Sequence, residues 1–293
     1  MPMLDALSFD IEDWFHICEL DGLKPPEEWG DYESRVLANT KVILKLLKER
    51  DIQATFFVLG WVAEKHPEVV EAILRSDSGH EIATHGHLHN LVHAQRRSEF
   101  RKELEWSIKV IEAATGGKRT IVGHRAPAFS IFPETKWAFD VLVDCGIRYD
   151  ASIFPKEFKD DDGDSDYTTH TSYLIKTKSE RNNGTLIEFP ISHINAPGMR
   201  IRFGGAYFRI LPYEILRGGI VKFHKKFGHP VIFYLHPRDI DPKQPRLKMR
   251  MGRKFNCYTG LGSAKGNLKK LLDGFKWAPI SRVLKEKGFE VGP

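Results

Sequence analysis

The sequence predicts an α/β fold organised around a parallel sheet, and three observations carry that reading. Short apolar runs alternate with longer stretches of helical periodicity through the first half of the chain. Each run is apolar on successive residues rather than on every second one, as in strands buried on both faces. Three of the runs also end at polar, ionisable residues, the way a buried strand ends. With 293 residues and 41% hydrophobic content the chain has ample material for a packed core.

Residues 4–9 form the first run and lead straight into polar positions, so a site belongs at that end. Over 32–50, Val36, Thr40, Ile43 and Leu47 share one stripe with charges elsewhere, which predicts an amphipathic helix. Residues 54–59 (ATFFVL) give a second buried strand. Residues 67–75 give a short helix, and 80–84 a third strand running into HGHLHN. Over 98–114, Phe100, Leu104, Ile108 and Ile111 fall at helical spacing, and Gly116 and Gly117 close the helix. Strand, helix and strand follow over 120–122, 133–145 and 147–151. From Thr168 the pattern changes, because 172–177 and 185–189 flank Asn183 and Gly184, a hairpin signal that predicts an antiparallel insertion. Asn183, Gly184 and Thr185 also spell a glycosylation sequon, and the turn is the preferred reading. Residues 212–227 read as a helix, 231–236 as the last core strand and 267–275 as a helix. Without an internal repeat or a low-complexity linker, one domain over 1–293 is expected, with a core over 4–237 and a C-terminal extension over 238–293.

Several function classes drop out on composition. The longest apolar stretches, 54–63 and 230–235, fall short of the roughly 20 residues that cross a bilayer, so no spanning helix is expected. The N-terminal residues lack a basic region and meet Asp5, Asp10, Glu12 and Asp13, which predicts a cytoplasmic chain without a secretory signal. Cys18, Cys145 and Cys257 are too scattered for a disulfide framework or a metal pair and read as structural. The net charge of +5 is modest and no nucleic-acid module is recognisable, so nucleic acid is not an expected partner. The charge is uneven, with basic density at 243–254 and an acidic run at 160–166. The basic stretch reads first as a solvated surface, with the steering of a phosphate-bearing or acidic substrate as the second reading. DDDGDSD at 160–166 lacks the glutamate of a calcium loop and reads as solvated. GLGSAKG at 260–266 lacks P-loop order and reads as a turn before a helix. The oligomeric state, a homo-oligomer included, is left open.

Ionisable residues gather at three strand ends: Asp10, Glu12 and Asp13 after the first strand, His85, His87 and His89 after the third, and His236 after the last. In parallel α/β folds the carboxyl ends of strands build the site, so these groups can converge. Two imidazoles and a carboxylate suit a divalent ion, zinc above all. His85 and His89 flank a turn at Gly86 that can aim both at one ion, with His87 pointing away. Strand alternation puts Asp10 and Glu12 on one face, and Asp13 joins them only if the chain turns after Ile11, so the ligand carboxylate stays open. Arg125, beside Pro127, can pair with a buried carboxylate, and Asp150 can orient a histidine.

Five motifs then follow one another in a recognisable order: SFDIED, HGHLH, RAPAF, DASIFP and LHP at 235–237. Together they span Ser8 to Pro237 and resemble the NodB-type polysaccharide deacetylases, the fourth carbohydrate esterase family. The resemblance implies a distorted (β/α) barrel of about seven parallel strands and hydrolysis of N-acetyl groups on a saccharide. Carried onto this chain, it makes Asp10 the general base restrained by Arg125. It makes Glu12 or Asp13 the metal carboxylate beside His85 and His89, and His236 the acid held by Asp150. Leu235 would line the acetyl pocket, and a backbone N–H near Ala128 would stabilise the oxyanion. GGAYFRILPY at 204–213 and FYLHPRDIDPKQPR at 233–246 resemble the branch that accompanies exopolysaccharide and exosortase gene clusters, which implies a cytoplasmic or membrane-proximal enzyme acting on a polysaccharide or its precursor. Where the wider family has adjacent aspartates, this chain has Asp10, Ile11, Glu12, Asp13. Two rivals are a hydrolase of small cyclic amides on the same scaffold and a saccharide-binding protein without turnover. Asp10, Arg125, Asp150 and His236 together speak against the latter, because binding alone needs no acid and base.

Overall fold

The first strand, β1 (Leu4–Ile11), is buried from Asp5 onward, and a strand with no exposed face needs neighbours on both edges and a layer on both faces. It has them. In this computed structural model, which describes residues 3–17, 23–77, 79–155, 169–196 and 199–292, β1 pairs in parallel with β2 (Thr55–Val58) on one side. On the other side lie β10 (Ile232–Leu235) and, lower down, β11 (Lys276–Ala278). The ladder continues through β3 (Glu81–Thr84), β4 (Gly123–His124), β5 (Tyr149–Asp150) and β7 (Thr185–Glu188), all parallel. It ends at β6 (Tyr173–Lys176), antiparallel to β7.

The expected α/β architecture is therefore present, with seven parallel strands in the order β10-β1-β2-β3-β4-β5-β7. No strand ladder among the described residues joins the two ends, so the barrel is open rather than closed. Irregular chain spans the gap. Tyr234 N–H donates to Phe203 O at 3.2 Å, and Ile191 N–H donates to Ile153 O at 2.8 Å. A separate ribbon, β8 (His193–Ala196) with β9 (Met199–Arg202), lies beside this seam.

Strand alternation sorts the core into two clusters. Ala6, Phe57, Ala83, Tyr149, Ile187, Ile232 and Tyr234 point to the inside of the curved sheet, where Ile280, Val283 and Leu284 of α10 (Ile280–Glu286) join them. Leu7, Phe9, Phe56, Ile82, Phe233 and Leu235 point outward beneath the helices. Those helices include α1 (Val36–Lys48), whose stripe of Val36, Thr40, Ile43 and Leu47 is buried as expected, α2 (Gly60–Lys65), α3 (Pro67–Ser76), α4 (Arg97–Ala114) and α5 (Trp137–Asp144). The same alternation sends Ser8 and Asp10 inward with Ala6.

Several elements differ from the sequence reading. The strand expected at 120–122 forms instead at Gly123 and His124, two residues that the flanking strands fit in register, Thr84 opposite His124 and His124 opposite Asp150. The hairpin over 172–189 is part of the main sheet, because β7 pairs with β5. Its turn does use Asn182, Asn183 and Gly184 in left-handed conformations. GLGSAKG begins a helix rather than preceding one, since α9 covers Leu261–Gly274 with Gly260 as its cap. α7 (Tyr213–Phe227) lies as expected, whereas α6 (Gly205–Ile210) and α8 (Met251–Tyr258), like β8 and β9, had no periodic signal. The acidic run 160–166 and Cys18 lie outside the described residues.

Candidate active site

The carboxyl ends of β1, β3, β4 and β10 meet in one cleft of roughly 360 Å³. Glu12 leaves the end of β1 after a tight turn in which its N–H donates to Asp10 O at 3.0 Å. Its Oε1 lies 3.0 Å from His85 Nε2 and 3.0 Å from His89 Nε2, with the carboxylate and His85 buried. The two histidines straddle a turn in which Gly86 has φ 75° and His89 φ 58°; a left-handed non-glycine residue is uncommon and marks a site where the surroundings impose the conformation. His85 Nδ1 lies 2.8 Å from Arg125 O, and a carbonyl can only accept, so Nδ1 carries the hydrogen. In the neutral ring Nε2 then presents a lone pair to a carboxylate oxygen. Two acceptors that close together call for a cation between or beside them. Tetrahedral zinc with ligand bonds near 2.0 Å would hold such atoms about 3.3 Å apart, and the second hydrogen bond at Nδ1 is the usual way a metal-binding imidazole is oriented. Burial would raise the Glu12 carboxyl, but the imidazoles of His89 and His236 and the His85 contact hold it well below its ordinary value. His87 points away from this group, toward Glu64 at 3.5 Å.

Asp10 sits beside this cluster. Arg125 Nη1 donates to Asp10 Oδ1 at 2.6 Å and to Ser8 Oγ at 2.9 Å, and its Nε–H donates to Ala151 O at 3.1 Å. The guanidinium is wholly buried and stacks 4.1 Å over the Phe57 ring. One carboxylate oxygen is thus fixed, and the other, Oδ2, lies 3.8 Å from His236 Nε2. His236 Nε2 is also 3.8 Å from Glu12 Oε1. Two overlapping groups, Glu12-His85-His89 and Asp10-Glu12-His236, therefore each bring their nitrogen and oxygen atoms within 4.8 Å of one another.

His236 is oriented by Asp239, not by Asp150. Asp239 Oδ2 accepts from both His236 N–H and Nδ1 at 2.9 Å, and its Oδ1 accepts from Arg209 Nε at 2.8 Å. Burial would lower the His236 pKa, but Glu12 and Asp239 outweigh it and raise it above its ordinary value. Asp150 instead bonds His124 Nδ1 at 2.6 Å and Ser152 Oγ at 2.8 Å, because β4 and β5 pair with His124 directly opposite Asp150. Ser152 Oγ also accepts from Ala126 N–H at 2.8 Å, so Asp150 braces the loop that follows Arg125.

Two further expectations change. The Asp13 carboxylate turns away from the imidazoles and caps the start of α1, accepting from Ser34 Oγ at 2.7 Å, Arg35 N–H at 2.8 Å and Val36 N–H at 3.2 Å. Glu12 alone of the two carboxylates faces the histidines. Leu235 does not line the cleft: it lies on the outward face of β10, opposite Phe9, among the residues beneath the helices. Tyr234 and Phe129 form the apolar wall instead, and Ala128, at φ 50°, lines the cleft as the sequence suggested.

Sequence reasoning missed Asp239, whose spacing three residues after His236 is that of a capping carboxylate. It also missed His16. That ring is buried among Phe15, Trp29 and Trp61, accepts from Asp13 N–H at 2.9 Å through Nδ1, and edges the cleft. Burial and then the His89 ring hold its pKa well below the ordinary value, so it is neutral.

Residues 31–149 match the family model described as polysaccharide deacetylase, and residues 151–285 match a domain of unknown function, DUF3473. A peptidoglycan deacetylase of Helicobacter pylori is 30% identical over 116 residues, 40% of this chain and 37% of that protein. A peptidoglycan-N-acetylglucosamine deacetylase of Bacillus cereus is 31% identical over 100 residues, 34% of this chain and 35% of that one. Chitin deacetylase 1 of Cryptococcus neoformans is 31% identical over 101 residues, 33% of this chain and 21% of that one. The chain thus spans little more than a third, or less, of the curated relatives it matches. Among solved structures, a candidate polysaccharide deacetylase from Mycobacterium smegmatis aligns over 98% of this chain and 94% of that one, with a TM-score of 0.61 and 20% identity, a likeness of fold. Among the described residues no helix is long and apolar enough to cross a membrane.

Proposed function

We propose that this chain, which carries a polysaccharide deacetylase domain of the NodB type, removes N-acetyl groups from a saccharide by metal-dependent hydrolysis. The observation that carries the reading is the placement of Glu12 Oε1 at 3.0 Å from two imidazole nitrogens, with a restrained carboxylate and a third imidazole alongside. Glu12, His85 and His89 would hold the ion. A divalent ion such as zinc lowers the pKa of a water it binds to about 7 and polarises a carbonyl.

The chain's own groups divide the proton transfers. Asp10 takes the proton of the attacking water through Oδ2, while the bond from Arg125 to Oδ1 fixes the carboxylate in place. His236 gives a proton to the departing sugar nitrogen, and Asp239 holds its Nδ1 so that Nε2 faces the reacting atoms. The N–H near Ala128 stabilises the oxyanion of the tetrahedral intermediate. Asp150 acts at one remove, by bracing the Arg125 loop through His124 and Ser152. Phe129 and Tyr234 take the place first assigned to Leu235, as the apolar wall for the acetyl methyl. The products are acetate and a free amino sugar. The two matched segments act as one domain over 1–293, a reading supported by β11, which returns residues 276–278 to the edge of β1. The substrate belongs to polysaccharide metabolism, a polymer or its precursor as in exopolysaccharide assembly.

The test is acetate release from N-acetylated saccharides with and without chelator, repeated for Asp10→Asn and His236→Ala. Each substitution is expected to lower the rate by about 100-fold or more. Release that is indifferent to the chelator would remove the ion from the reaction.

A further inference from the structure

We propose that the saccharide carries a negative charge close to the N-acetylated sugar, as a phosphate or a uronate, and that arginines of the segment of unknown function bind it. The inference rests on the deacetylase reading for the position of the sugar, but the anion site stands on its own geometry.

Four arginines line the cleft: Arg202, Arg209, Arg238 and Arg253. All four come from residues 151–285, and none from the segment that matches the deacetylases. The carboxylates of the cleft lie on its floor, and each is committed: Asp10 to Arg125, Asp239 to His236 and Arg209, Glu12 to the imidazoles. Arg209 is committed too, to Asp239 and to the carbonyls of Thr259 and Asn256. It is a strut for α8.

Arg202 is different. It ends β9 half-buried, its guanidinium lies 4.2 Å over the Phe154 ring, and among the described residues that side chain makes no ion pair and no hydrogen bond. Stacking fixes the plane of the guanidinium before a ligand arrives and leaves its N–H fork open for bidentate contact with phosphate or carboxylate. Arg238, next to His236, and Arg253, on α8, also line the cleft. No acidic residue of β9, α6 or α8 lines it. A guanidinium with an open N–H fork at the cleft attracts anions to it. A neutral glycan would gain nothing from it.

The experiment is calorimetric binding to the metal-loaded full chain, with no turnover required. The probes are N-acetylglucosamine 1-phosphate, an oligosaccharide of N-acetylglucosamine and glucuronate, and neutral diacetylchitobiose. At least one anionic probe is expected to bind about tenfold or more tightly than the neutral one, with a preference that shrinks as salt rises. The probe that gains more identifies the anion as phosphate or uronate. R202Q is expected to abolish most of that preference while leaving the neutral probe unchanged. R253Q, on a helix surface, is expected to weaken it in the same direction and serves if R202Q fails to fold. Equal affinity for neutral and anionic probes in the wild type overturns the proposal, as does a preference that survives both substitutions. Anion preference without acetate release from any probe would sink the deacetylase reading alone; acetate release with no anion preference would sink only this one.

Discussion

Replacing Asp239 by Asn removes a charge and little volume, and its effect can be worked from the contacts. One oxygen of Asp239 accepts from the backbone N–H and the Nδ1–H of His236, and the other from Arg209. An asparagine amide must turn its NH2 either toward Arg209 or toward the two His236 donors, so the contacts on that side are lost and those on the other become neutral. A hydrogen bond to a charged group contributes about 1.5–3 kcal/mol, so losing the carboxylate charge beside its ring is expected to lower the His236 pKa. The sign follows from its role. His236 must be protonated to act as acid, and its pKa is raised in the folded protein, so activity falls as pH rises through that raised pKa. An ion at Glu12 offsets that carboxylate's share of the upward shift, which leaves Asp239 as the main support. In D239N the alkaline fall therefore moves to lower pH, and the maximal rate drops by about 10–100-fold, the usual loss when an imidazole loses its orienting partner. The assay is kcat/KM for acetate release between about pH 5 and pH 10, with D150N alongside. If D150N moves the alkaline limb and D239N leaves it in place, the assignment of Asp239 is wrong and Asp150 holds the acid after all.

Three substitutions test the framework around the site. R125A leaves the buried Asp10 carboxylate without its counter-ion, and a loss of about 3–5 kcal/mol is expected in urea unfolding; wild-type stability would mean the pair is not formed. Asp13→Ala removes the acceptor for the first N–H groups of α1 and is expected to cost about 1–2 kcal/mol in the same measurement. Gly204→Ala would place a Cβ 2.1 Å from Tyr234 O at φ 149°, so about 1–3 kcal/mol or more of stability should be lost and the Tyr234 wall displaced. An unchanged melting temperature for G204A would contradict the close approach of that chain to β10.

β1 and β10 were legible as short, largely apolar runs that stop at ionisable residues, β2 as an apolar run, and β3 by the HGHLHN that follows it. β1, β2, β3 and β10 formed where expected, and with them Asp10, Glu12, His85, His89 and His236 arrived at one end of the sheet. β4 was displaced because two residues carry no pattern; only Thr84 and Asp150 on either side decide which pair joins the ladder. The same lateral register explains the Asp150 error, since a strand-end aspartate serves whichever histidine stands opposite, and that is His124. Glu12 against Asp13 turned on one tight turn after Ile11 and on the need of α1 for a cap, neither of which a strand pattern encodes. The arginine wall was hidden for another reason: β8, β9, α6 and α8 are too short for periodicity to register, and their meaning lies in what they face.

The most direct test of the account is the stoichiometry and affinity of zinc on the purified chain, measured by calorimetry for the wild type, E12Q and D13N, with melting curves to confirm folding. One ion per chain is expected, bound at least about 10-fold more weakly by E12Q than by the wild type and nearly unchanged in a folded D13N. Binding lost in D13N but kept in E12Q, or no zinc taken up by the wild type, would contradict a centre made by Glu12, His85 and His89.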